Sequence, residues 1–124
     1  MKKLIWLMVL VLLVVSISVV AYPKIDFRSV DKETQIEFIK VMKSIDEKHY
    51  DGVKKITVYR TVLYYRGGNM VIGDYIAPSF IRIFDAKLNT LTKKNLEHEL
   101  THHKCWKENR DLSHDSQCFT NGLD

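Results

Sequence analysis

Residues 96–106 read LEHELTHHKCW and contain H-E-L-T-H, with His98 and His102 four apart and Glu99 directly after the first. A helix advances 3.6 residues per turn, so the two imidazoles lie on one face, one turn apart, within reach of a single metal ion. Glu99 sits one position further round, beside such a metal rather than on it. From there a carboxylate can take a proton from a zinc-bound water and later pass it to a leaving amine. Zinc brings the pKa of that water to about 7 and polarises the carbonyl under attack. The residues thus point to hydrolysis of peptide bonds, with Zn2+ as cofactor and Glu99 as the catalytic base.

A catalytic zinc takes three protein ligands and keeps one position open. After His102 the side chains able to bind zinc are His103, Cys105, Glu108, Asp111, His114, Asp115, Cys118 and Asp124. His103 is turned about 100° from His102 around the helix, which makes it a surface or supporting residue. Glu108 stands six residues on, but Cys105 occupies the place where that arrangement needs a turning glycine, and a continuing helix carries Glu108 away from the metal. No glutamate follows Glu108. His114 comes after a polar loop long enough to turn the chain back, at the expected start of a helix, and is the first choice. Asp115 and Asp111 stand behind it.

The stretch HELTHHKCWKENRDLSHDSQCF resembles the metal-binding core of SprT-like and WLM-type zinc metallopeptidases. Their pattern is H-E-x-x-H, a loop, then His followed by Gly or Asp and shortly afterwards an aromatic residue. Here His98, Glu99, His102, His114, Asp115 and Phe119 fall on it, and Trp106 stands where SprT-like proteins often have one. The upstream layout is also similar to that of minigluzincins, which require a downstream glutamate that this chain lacks. The resemblance spans 22 residues and implies a zincin fold with Glu99 as general base. Lys104 departs from it, since such peptidases usually carry an apolar residue there. The DNA-associated role of many SprT-like proteins does not carry over with the motif.

Cys105 is three residues after His102, and Cys118 four after His114. If both histidines face the metal, each cysteine falls one turn along on about the same side. That geometry leads to a Cys105–Cys118 disulfide fastening the ligand loop to the motif helix; the alternative is two buried free thiols.

The elements that must position these groups read as an α+β domain of minimal zincin-like build. A short extended piece (KIDF) leads to a helix over about residues 31–48, capped by Ser29 or Asp31 and ended by Asp51-Gly52. VKKITVYRTVLYY reads as a strand, Gly67-Gly68-Asn69 as a turn, MVIGDYIA as a second strand interrupted at Gly73-Asp74, and FIRIF as a third. This small sheet leans antiparallel. A connector over residues 85–91 precedes the motif helix, which starts near Thr90 or Thr92 and runs to about Lys107. Residues 108–112 break the pattern, and Ser113 is placed to cap a last short helix holding His114 and Cys118. FIRIF is a candidate edge for an extended substrate, or an ordinary core strand. Tyr64, Tyr65 and Tyr75 are candidates to donate to a developing oxyanion.

Residues 1–21 stand apart. Lys2 and Lys3 precede an uncharged run over residues 4–22, with Ala21 at a plausible cleavage point, which reads as a signal peptide or an uncleaved anchor. Either sends residues 22–124 to the extracytoplasmic side, secreted or held at a membrane through residues 4–20. Without residues 1–21 the net charge falls from +4 to +2, with basic residues dispersed among acids. No basic stripe results, so no nucleic acid is expected as a partner. The readings that compete with the extracytoplasmic peptidase, whose partner is a peptide or protein substrate, are a zinc-stabilised binding module without turnover and an SprT-like protease acting on nucleic-acid-bound proteins.

Overall fold

The β-branched run over residues 53–65, expected to be one strand, is divided in the computed structural model, which describes residues 22–61, 63–84 and 90–123. The expected targeting segment, residues 1–21, and most of the expected connector lie outside the described residues. Among the described residues no helix is long and apolar enough to cross a membrane.

In chain order the elements are β1 (Lys24–Arg28), α1 (Lys32–Lys43), a 3-10 turn (Glu47–Tyr50), β2 (Lys55–Tyr59), β3 (Tyr65–Arg66), β4 (Asn69–Met70), β5 (Gly73–Ile76), β6 (Phe80–Ile83), α2 (Thr90–Asn109) and α3 (Gln117–Asn121). Among the described residues the protein is a mixed α+β structure with three α-helices and a small sheet.

The sheet differs from the expectation of three antiparallel-leaning strands. It has four strands in the order β1-β2-β6-β5, and β3 pairs with β4 as a separate hairpin. The KIDF piece is β1, which runs parallel to β2 because α1 carries the chain back over the sheet between them. β2 and β6 are also parallel, and only β5 runs antiparallel, to β6. FIRIF is therefore an interior strand flanked on both sides, and the free edge nearest the motif helix is β5.

Register lines up the apolar positions. Ile56 pairs with Ile81 and Val58 with Ile83, and all four side chains are fully buried. Alternation then puts Thr57 and Arg82 on the opposite face. Phe38 and Met42 of α1, with Leu96 and Leu100 of α2, complete the core against these strands.

Local chemistry sets the element ends. Asp31, rather than Ser29, caps α1, accepting from the Thr34 amide at 3.1 Å. α1 ends at Lys43, five residues before the expected end, because Asp46 begins a separate 3-10 turn by accepting from the Lys48 amide. Tyr50 of that turn is buried and donates its hydroxyl to the Met42 carbonyl at 2.6 Å. At the other end of the chain Ser116, not Ser113, caps α3, accepting from the Phe119 amide. His114 thus lies in the loop ahead of α3, not within it.

Phe38 is fully buried and meets Phe27 edge-on, with ring centroids 6.0 Å apart. Truncating Phe38 to Ala should cost about 3–5 kcal/mol. Urea unfolding checks this, and a loss below about 1 kcal/mol would remove Phe38 from the centre of the core.

Candidate metal centre

Helix α2 presents three different faces. Leu96 and Leu100 are fully buried in the core. His98 and His102 lie on a second face. Asn95, Glu99 and His103 follow one another at four-residue spacing on a third, forming a buried polar row.

His114 reaches the second face from the loop between α2 and α3. Its Nε2 lies 3.1 Å from His102 Nε2 and 3.2 Å from His98 Nε2. The ligand atoms of the three residues all fall within 4.8 Å of one another. Three imidazole nitrogens converging on one point is the arrangement that a shared cation would require. At Zn–N distances of about 2.0–2.1 Å, the edge of a tetrahedron is roughly 3.3 Å, close to the two separations seen. The three histidines therefore fit a metal ion as ligands. Burial and the neighbouring imidazoles hold His102 down to about 4, and the same causes lower His98. Both rings are neutral near pH 7, the state a metal ligand requires.

The loop that delivers His114 is tied at both sides. Asp111 accepts from the Ser113 amide at 2.8 Å, and Ser113 accepts from the Asp115 amide at 3.0 Å. Beyond it Cys118 of α3 is joined to Cys105 of α2, with the two Cα atoms 5.8 Å apart. Lys104 donates from Nζ to the Gly122 carbonyl at 2.6 Å, holding the end of α3. This gives a reason for a lysine where the resemblance leads one to expect an apolar residue. The Phe119 ring, also on α3, lies beside all three histidine rings.

The polar row fastens α2 to β5. Asn95 donates through Nδ2 to the Ile72 carbonyl just ahead of β5. A Cβ on Gly73 would lie 2.5 Å from Asn95 Oδ1 and 3.1 Å from the Arg82 carbonyl, so only glycine permits this approach. At the far end His103 lies 2.7 Å from the Asp51 carbonyl through Nε2 and 2.9 Å from the Tyr75 hydroxyl through Nδ1. A carbonyl only accepts, so Nε2 carries the ring proton. His103 is thus a fully buried strut between β5 and the Asp51 turn, the supporting rather than the surface residue of the two that its angle around the helix allows.

Glu99 lies between Asn95 and His103 in this row, and it lines a cleft of about 230 Å³ together with His98, His102, His114 and residues of β5. It is only 3% exposed. Burial, with the Asp74 carboxylate adding to it, pushes its carboxyl up to about 8. Asp74 lies at the same cleft and is engaged by Arg82, through Nε at 2.8 Å and through Nη2, and by the Tyr64 hydroxyl at 2.9 Å. Strand pairing places Asp74 directly opposite Arg82.

The residues that motif spacing brings to attention, His98, Glu99, His102 and His114, meet at one cleft. Asp115 and Asp111 do not join the triad. Of the three candidate tyrosines, Tyr64 and Tyr75 line the cleft, while Tyr65 is 67% exposed on the hairpin and does not. Sequence reasoning misses Asn95, Gly73, Asp74 and Arg82. The four-residue spacing of Asn95, Glu99 and His103 was the available signal, because three polar residues on a face next to buried leucines need a partner element.

Compared with family models, with curated proteins and with solved structures, the chain finds no match. The case for the site rests on its geometry.

A dication at the triad favours the ionised form of Glu99. Below about pH 8, metal uptake should therefore expel the Glu99 proton, and affinity should rise with pH up to that value and flatten above it. Calorimetry at pH 7 in buffers of different ionisation enthalpy should count close to one proton per metal for wild type and fewer for Glu99→Gln. Equal counts would contradict the assigned state of Glu99. The disulfide closes a short loop, so replacing both cysteines with serine should cost about 2–3 kcal/mol in thermal unfolding. No loss would mean that other contacts hold α3.

Proposed function

We propose that this protein is a zinc metallopeptidase of zincin-like build, acting on peptide or protein substrates outside the cytoplasm. The observation that carries the proposal is the meeting of three imidazoles with one buried carboxyl at a single cleft. Neutral imidazoles suit zinc among the common metals, and three of them leave a fourth position open. A purely structural site has no use for a carboxyl beside it.

Bound at His98, His102 and His114, zinc would supply a Lewis acid that acidifies water and polarises the peptide carbonyl. The chain's own groups do the rest. Glu99, ionised once a dication is present, takes the proton of the attacking water and hands it to the leaving nitrogen. Tyr64 and Tyr75 are the candidate phenols that line the cleft. To stabilise charge on the carbonyl oxygen, Tyr64 would have to release Asp74, and Tyr75 would have to release the Pro78 carbonyl or His103. Burial pushes Tyr75 up to about 12, so its hydroxyl stays protonated at neutral pH. The outer edge of β5 borders the cleft and offers backbone groups for an extended substrate, a role that the interior strand FIRIF cannot take. Location outside the cytoplasm is supported by the leader-like residues 1–21 and agrees with a disulfide beside the site.

Metal analysis and a peptidase assay on the purified protein test this. Wild type should hold one zinc and cleave an unstructured peptide mixture. Glu99→Gln should keep the zinc and lose about 10²–10⁴-fold in rate. His114→Ala should lose stoichiometric zinc. A wild type without zinc overturns the proposal. Stoichiometric zinc without turnover points instead to a zinc-stabilised binding module.

A further inference from the structure

Among the described residues, the hydrogen bonds of the three histidines are only those between their own Nε2 atoms. A ligating histidine ordinarily donates its other ring nitrogen to a carboxylate, a carbonyl or water, and that bond helps to fix the direction of the ring. Packing against a neighbouring aromatic ring can fix it as well.

The Phe119 ring is in place to do it. Its centroid lies 5.0 Å from that of His98, 4.6 Å from His102 and 4.9 Å from His114. It meets His98 and His114 near edge-on, at 75° in both cases, and lies tilted by 38° against His102. These separations are within the range aromatic pairs prefer. All three histidines line the cleft, whereas Phe119 does not. The ring therefore stands behind the histidines as seen from the cleft. Phe119 has no atom that can bind a metal, and it is itself held on two sides. The neighbouring Cys118 is bonded to Cys105, and the Ser116 hydroxyl accepts from the Phe119 amide at 3.2 Å.

We propose that Phe119 is a positioning residue of the metal centre: packing against its ring helps to set the three imidazoles, and its bulk shields them from outside the cleft that Glu99 lines. This inference rests on the metal site proposed above.

Cobalt(II) is the probe, because its visible absorption reports coordination number. The full-length protein is titrated with Co2+ as wild type, Phe119→Ala and Phe119→Leu, with thermal melting to report the fold and thiol titration to report the disulfide. Folded Phe119→Ala should bind Co2+ about 10–100-fold more weakly, the loss typical when the groups that orient metal ligands are removed. Its bands should weaken as further water reaches the metal. Phe119→Leu keeps apolar bulk without the flat faces and should fall between the two. A folded Ala variant with wild-type affinity and spectrum overturns the proposal. If Ala does not fold, wild-type affinity and spectrum in the Leu variant overturn it, and loss of fold in both makes Phe119 a core residue and overturns it as well. A wild type that binds no metal brings down the metal site itself, whereas a wild type that binds while the variants match it removes only the role of Phe119.

Discussion

A helix turns a new face every 100°, and α2 must satisfy three surroundings with its faces at once. Leu96 and Leu100 need the apolar core, His98 and His102 must both reach His114, and Asn95, Glu99 and His103 must be buried against β5. Burying polar groups is costly unless they find partners. For Asn95 and His103, β5 with the residue ahead of it and the Asp51 turn supply them, through the Ile72 carbonyl, the Tyr75 hydroxyl and the Asp51 carbonyl. The position of β5 at the sheet edge thus follows from what α2 demands. Glycine at 73 follows too, since a side chain there would collide with Asn95.

The same burial creates the site's electrostatics. Glu99 sits where water is scarce, which raises its affinity for a proton, and Asp74 pushes in the same direction. Arg82 and Tyr64 bind the Asp74 carboxylate and so limit its effect across the cleft. The carboxyl is left poised to give up its proton only when a positive charge arrives beside it. On the other side of α2, a disulfide, a lysine–carbonyl bond and one aromatic ring hold α3 close to the motif helix. The second face therefore depends on packing, and the third on hydrogen bonds.

Much of the candidate metal centre is legible in the sequence, because a four-residue spacing on a helix states a distance. His98 and His102 are neighbours for that reason, and Cys105 and Cys118 could be paired by extending the same spacing to His114. The sheet was harder to read. Glycine and proline turns signal where chains reverse but not which strand lies beside which, so the insertion of β6 between β2 and β5, and the parallel pairing of β1 through α1, were not visible. Partnership is also what decides between the surface and supporting readings of His103. An angle around a helix says where a residue points but not whether another element covers it. The Asp74–Arg82 pair depends on strand register, which no local pattern of these residues states.

The central claim is that one metal ion binds the three imidazoles and keeps one further position open. X-ray absorption at the zinc edge of the metal-loaded protein tests this most directly. The account predicts a first shell of three imidazole nitrogens and one additional oxygen at about 2.0–2.1 Å. A sulfur scatterer near about 2.3 Å, or a shell with fewer than three imidazoles, would contradict it.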